Sequence, residues 1–464
     1  MTAITAIVLM GSLLVGLRYG GVLLAVATNT YQFSSVYGNS FAVSVVLNLL
    51  PIVYLIPKMV MRRLHYRFTV VDLFLLVWLT GIFINVLRSY SLDAPGEYLA
   101  RAVFFCGCYF VLGRLLAAGS DRGYGYLREF APAVVLLSLF FAMLAHDISG
   151  QEIHLEAQFD STGNDVLDHT GRLAVGEGNP VGYSASLNTA VSIAIAFACV
   201  AVFCRGVLAR YSVVAAGVAV ALLSLASLAA GTRGLVLAMI AVLVTCSIMA
   251  AMWRRPLSDR LTILVVGLAA LIPLYFALPP VLMALADFAH EYLGMGEENP
   301  IRMLASVLAD SDQASLDPST RGRLEFWYTG WKLIQESPIF GTATDYLMLT
   351  DFEAHNFFVE QWVFSGLFGL IGSLMLIGSV ARSALRILST DDRRTFLVGI
   401  AHVAIFVGFL AQAQFSFTLY HAKMMFLAAG IVIELNRGLR QQAALRLQRK
   451  QSANVGRISE MIPD

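Results

Sequence analysis

Residues 234–252 read GLVLAMIAVLVTCSIMAAM, nineteen positions without a single charged side chain. At 1.5 Å per residue such a segment makes a helix about 28 Å long, close to the roughly 30 Å hydrocarbon thickness of a bilayer. Backbone that crosses lipid has to satisfy its own hydrogen bonds, and a helix does so within one segment. The whole chain agrees with this reading. It is 58% hydrophobic and 14% charged over 464 residues, against about 25% charged in a soluble domain. Its net charge of +1 offers no basic face for a nucleic acid.

Outward from that stretch, Gly231-Thr232-Arg233 separate it from a second apolar run at 211–230. Further runs of spanning length lie at 4–26, 41–57, 71–88, 98–118, 129–146 and 181–203 before it. After it come 261–282, 356–381, 396–416 and 420–436, giving about twelve spans and an all-α polytopic membrane protein. Arg18 and Gly20-Gly21 interrupt the first run. Met1 to Val15 lacks a basic flank and a small-residue cleavage site, so it reads as membrane span and not as a removed leader. Cys106, Cys108, Cys199, Cys204 and Cys246 sit in or beside apolar runs, without the spacing of a zinc site or a disulfide framework.

Basic residues set the expected orientation. Twenty-two of the 32 lysines and arginines fall in 58–67, 114–128, 204–210, 253–260, 382–394 and the stretch after 436. Those segments alternate along the chain, and the positive-inside rule puts them, and both termini, on the cytoplasmic side of the membrane. On the opposite face the loop 147–180 carries seven acidic residues against Arg172 alone. The long loop 283–355 carries twelve against Arg302, Arg321, Arg323 and Lys332. The chain divides accordingly into N-terminal spans 1–180, a core 181–436 that includes the loop 283–355, and a cytoplasmic tail 437–464 in which a helix-prone start gives way to disorder.

Few residues on the acidic face have the chemistry of a site. Arg233 lies between glycines at a membrane boundary. It is either a snorkelling side chain or a phosphate ligand, since glycines admit close backbone approach and guanidinium grips phosphate as a fork. Arg321-Gly322-Arg323 opens an amphipathic stretch, 324–335, that Pro338 stops. Cations beside a helix N-terminus oppose its dipole unless an anion lies between them. His355-Asn356 stands where the long loop re-enters the membrane. An imidazole there is an interfacial side chain or a general base able to accept a hydroxyl proton near neutral pH. Asn356, Glu360, His421 and Lys423 are polar neighbours able to support it. Asp310 and Asp312 are two acids in a loop, ordinarily solvated, and no metal-ligand spacing occurs.

Arginines and one histidine on a face without ATP or nucleotide sugars suit transfer of a group from a lipid-linked diphosphate, with fixed guanidinium charge replacing a metal. The order of motifs resembles a known family. Gly231-Thr-Arg-Gly-Leu-Val-Leu-Ala238, Arg321-Gly-Arg-Leu-Glu-Phe-Trp327, Trp331-Lys-Leu-Ile-Gln-Glu-Ser-Pro-Ile-Phe-Gly341, His355-Asn-Phe-Phe and Ser365-Gly-Leu-Phe-Gly369 are similar to the signature of the O-antigen ligase and polymerase superfamily. The likeness runs from about 185 to 435. It implies a metal-independent glycan transferase of the GT-C class without a cofactor. The donor would be an undecaprenyl-diphosphate glycan, and the acceptor hydroxyl would belong to a glycan, a lipid A core or a protein. It further implies that Arg233 and Arg323 hold the diphosphate, with Arg321 in support, and that His355 activates the acceptor. A chain-length regulator or other assembly proteins would be partners. Two sizeable outer loops tilt the reading toward a polymerase of O-antigen or exopolysaccharide, with the ligase and the protein oligosaccharyltransferase as alternatives. A transporter or flippase would show inverted repeats and mid-span charges. No repeat is evident, and the polar mid-span groups are Asn85 and His402.

Overall fold

The computed structural model describes residues 20–30, 41–60, 66–89, 99–100, 102–119, 121–149, 180–204, 210–230, 233–293, 300–309, 318–342, 356–414 and 423–460. Among these every regular element is a helix. In chain order they are α1 (Gly21–Thr28), α2 (Phe41–Val60), α3 (Val70–Leu87), a π-helical turn (Ala102–Cys108) running into α4 (Tyr109–Ala117), α5 (Tyr124–Ser149), α6 (Pro180–Phe203), α7 (Arg210–Ala230) and α8 (Arg233–Met252). Next come α9 (Leu257–Leu293), α10 (Pro300–Ala309), α11 (Pro318–Glu336), α12 (Phe357–Ile387), α13 (Arg393–Gln412) and α14 (Lys423–Glu460). Among the described residues six helical stretches are long and apolar enough to cross a membrane: Val70–Leu87, Tyr124–Ala142, Ser184–Phe203, Gly234–Met252, Phe357–Ile387 and Arg393–Gln412. Val45–Tyr54, Ala102–Ala117 and Val214–Ser227 are shorter apolar helices.

The centre of the bundle is α13, wrapped by α6, α8 and α14. Val398, Ile400, Ala401, Ala404 and Ile405 on α13 are buried, as are Leu427, Ala428, Ile431 and Val432 on α14. A close crossing is that of α4 on α14. A Cβ on Gly113 would lie 2.1 Å from the Leu427 carbonyl, and one on Gly430 would lie 2.2 Å from the Phe110 carbonyl. Small residues let two backbones approach in lipid, where association rests on packing because lipid tails are as apolar as the side chains.

Three expectations need correction. Arg114, counted with the loop cations, is 1% exposed inside the bundle. Its guanidinium donates to Glu434 Oε2 at 3.0 Å, to Asp72 Oδ1 at 2.6 Å and to the Arg67 carbonyl at 2.8 Å. The charge is tolerated because two carboxylates meet it, Asp72 on α3 and Glu434 on α14. The stretch after 437 remains helical to Glu460, since no proline or glycine cluster stops α14. The loop expected from 283 starts later, because α9 continues to Leu293 despite prolines at 273, 279 and 280. Leu282, Ala286 and Ala289 form an apolar stripe on that extension, and Ile301 and Ala305 of α10 pack on it. An Arg302–Asp287 ion pair sits beside them.

Candidate functional site

The amphipathic helix α11 begins at Pro318, earlier than its apolar periodicity indicates, because proline is at home in the first helical turn. Arg321-Gly322-Arg323 therefore lies within its first turns and does not precede it. Pro338 ends it, as expected: the helix stops at Glu336. Past that stop the chain docks in a way the sequence pattern does not announce. The Pro338–Thr342 segment lies against a break in α12 at Gly366, whose φ of 60° and ψ of −154° leave the helical region. Thr342 N donates to the Val363 carbonyl at 2.8 Å, and Leu367 N donates to the Ile339 carbonyl at 3.0 Å. The Trp362 indole donates to the Pro338 carbonyl at 3.0 Å and meets Trp331 edge-on at 6.1 Å.

Glycine is required on both sides of this contact. A Cβ on Gly366 would lie 2.1 Å from the Ile339 carbonyl, and one on Gly341, at φ 75°, would lie 2.6 Å from the Val363 carbonyl. From α3, Asn85 donates to the carbonyl of Phe364, and Arg88 donates to the Gly341 carbonyl at 2.8 Å and to Asn85 Oδ1 at 3.2 Å. Backbone groups freed by the break are thus satisfied by Asn85 and by the docked segment, whose own Gly341 carbonyl is held by Arg88, the condition for irregular backbone at membrane depth. Asn85, a mid-span polar group in the sequence, finds its explanation here. His402 is half explained: its Nδ1 lies 2.7 Å from the Val398 carbonyl, and its Nε2 has no hydrogen-bond partner among the described residues.

The start of α12 is capped by Asn356, whose Oδ1 accepts from Phe358 N at 3.1 Å and Val359 N at 3.2 Å. Such a cap satisfies donors that have no partner within the helix. Phe357 N donates to the Ala413 carbonyl at 2.9 Å, fixing the start of α12 at the end of α13. Glu360 comes next in the first turn, 4% exposed, where a negative charge suits the helix dipole. Nearby, Gln412 bridges Asn188 Nδ2 at 2.7 Å and Ser184 Oγ at 2.8 Å. Lys423 opens α14, its ammonium donating to Asn48 Oδ1 at 2.7 Å and to the Ala27 carbonyl near the end of α1.

Helix direction shows which end of the bundle this is. Trp253, just past α8, stacks on Phe396 near the start of α13 at 4.8 Å. Farther along, the space a Cβ on Gly408 would occupy lies 3.0 Å from Val242. The two helices are therefore antiparallel, and the start of α8 at Arg233 lies level with the end of α13 and the start of α12. The backbones of Arg233, Asn356 and Lys423 all belong to this end. The side chains of Arg233, Arg321 and Arg323 lie outside what is described, and so do His355 and His421 altogether.

Residues 218–374 match the O-antigen ligase family. The O-antigen ligase segment runs from within α7 to within α12, about a third of the chain, and is narrower than the stretch over which the motifs were seen. It contains Arg233, Arg321, Arg323, His355, Asn356 and Glu360, and both halves of the Pro338–Gly366 docking. Asn85, Arg88, Gln412 and Lys423 lie outside it. No curated protein and no solved structure gave a match. The match agrees with the likeness to the O-antigen ligase and polymerase superfamily that the motif order carries.

Proposed function

We propose that the chain transfers a glycan from undecaprenyl diphosphate to an acceptor hydroxyl at the periplasmic face of a bacterial inner membrane, without a metal. The observation that carries this is the O-antigen ligase match over a segment containing Arg233, Arg323 and His355. The antiparallel packing of α8 on α13, which puts the start of α8 and the start of α12 at one end of the bundle, supports it. In this reading Arg233 and Arg323, aided by Arg321, neutralise the diphosphate as it leaves. His355 takes the proton from the acceptor hydroxyl, the hydroxyl oxygen bonds to the anomeric carbon, and the bond from that carbon to the phosphate oxygen breaks. Direct displacement inverts the anomeric centre. Twelve spans of GT-C type, with both termini cytoplasmic, complete the proposal.

Polymerisation of O-antigen or exopolysaccharide repeats is the preferred outcome. Ligation onto lipid A core and transfer to protein are the alternatives. Incubation of the purified protein with a lipid-linked repeat unit separates them. A ladder of products identifies a polymerase, and a single shift that needs lipid A core or protein identifies the others. Absence of donor consumption with every acceptor overturns the proposal.

A further inference from the structure

A second feature lies at the opposite end of the bundle and stands apart from the transfer reaction. Helices α3, α12 and α14 leave between them a groove of about 540 Å³. Its walls are apolar: Val70 and Phe74 of α3, Leu374 and Met375 of α12, and Ile433 of α14. Val70, Leu374 and Met375 are 66%, 49% and 42% exposed, which in a membrane protein means exposed to hydrocarbon. Arg382, Arg437 and Arg440 also line it.

The charges there do not cancel. Asp72 and Glu434 meet Arg114, and Glu434 also accepts from Arg437 Nε at 2.7 Å through its other oxygen. Two carboxylates are thus matched by two guanidiniums. Arg382 and Arg440 stand outside that balance, exposed, with no hydrogen bond or ion pair to any described residue. Two spare cations over an apolar trough match an amphiphile with a negative head and hydrocarbon tails, and clustered basic residues between spans at the cytoplasmic side bind such headgroups.

We infer that the groove between α3, α12 and α14 binds an anionic glycerophospholipid of the cytoplasmic leaflet, its phosphate on Arg382 and Arg440 and its acyl chains against Phe74, Leu374 and Met375. The lipid fills a seam between the helix that carries the Gly366 break and the helix that carries Glu434.

The test uses the full-length protein purified in neutral detergent. Phosphatidylglycerol, phosphatidylethanolamine and free glycerol phosphate are added in turn, and lipid retention by native mass spectrometry is read with the unfolding temperature. Phosphatidylglycerol should be retained and should raise the unfolding temperature, and the other two should not. R382Q/R440Q should weaken its apparent affinity about 25-fold, roughly fivefold per arginine. Gly378→Phe blocks the trough by a separate route, because a Cβ at Gly378 meets nothing within 4 Å. That variant should lose lipid retention while its lipid-free unfolding temperature stays unchanged. Equal response to phosphatidylethanolamine or to glycerol phosphate overturns the inference, as does undiminished phosphatidylglycerol binding in either variant.

Discussion

The two ends of the bundle are held together by different chemistry. At the end of Arg114, buried full charges meet: one guanidinium, 1% exposed, sits between two carboxylates from different helices. Burial and the Asp72 hydrogen bond raise the Tyr66 phenol above its ordinary pKa, so it stays a donor in that cluster. At the end of Asn356, amides, hydroxyls and carbonyls do the joining. Gln412 ties Asn188 to Ser184, Asn356 caps α12, and Lys423 finds neutral oxygens among the described residues. A compensated ion cluster tolerates little change, because losing one member strands another charge. At the other end the Lys423 ammonium rests on neutral oxygens, where an incoming anion would add a charge partner. The contrast teaches where stability and chemistry are separable: the first end is held by matched buried charges, and the second is the end at which the transfer reaction is proposed.

The sharpest way to break that contrast is at the residues proposed for the reaction. His355→Ala or Arg323→Ala should lower turnover about 10²- to 10⁴-fold, with the unfolding temperature unchanged. Turnover of lipid-linked donor per folded molecule is the measurement, and full activity in both variants removes the proposed mechanism. Arg114→Ala should do the reverse. It strands Asp72 in the interior and leaves Glu434 with Arg437 alone, at a cost of about 3–5 kcal/mol, visible as a large fall in thermal midpoint in detergent, whereas the fraction that stays folded keeps its turnover. A stable variant would show that the cluster contributes little.

The legibility of the sequence divides along the same lines. Apolar runs located the helices because hydropathy averages over a span, and each expected span coincides at least in part with a described helix. The same averaging hid Arg114, whose partners Asp72 and Glu434 are 42 and 320 residues away. Asn85 stood out as a polar mid-span residue, but its partner and that of Arg88 did not, because Phe364 and Gly341 belong to a later part of the chain. Pro338, Gly341 and the Ser365-Gly366 pair were legible as motif letters. That they touch is a tertiary fact: one turn after α11 takes up a carbonyl and an N–H freed by the break in α12. Roles for Arg233, Arg323 and His355 came from motif order, and their test is biochemical.

Smaller effects sharpen the comparison. Gly366→Ala puts a side chain against the Ile339 carbonyl at a positive φ, and should cost about 1–3 kcal/mol. It should also lower turnover, because the docking it disturbs joins α11 to α12; limited proteolysis near Pro338 beside an activity assay would register both. Asn188→Leu should cost about 1–2 kcal/mol by leaving Gln412 with an unmatched carbonyl. An unchanged thermal midpoint there would mean the neutral network is softer than its distances indicate.

The unbroken run of α14 from Lys423 to Glu460 has a mechanical consequence. Thirty-eight residues make a rod about 57 Å long, roughly twice the thickness of the hydrocarbon layer. One tip is seated on Asn48 and Ala27, and the shaft is clasped by α4. A tilt of about 5° at the seated tip would swing the far tip about 5 Å over that length. The helix is thus a pointer, converting small adjustments beside Asn48 and Ala27 into larger displacements at its far tip.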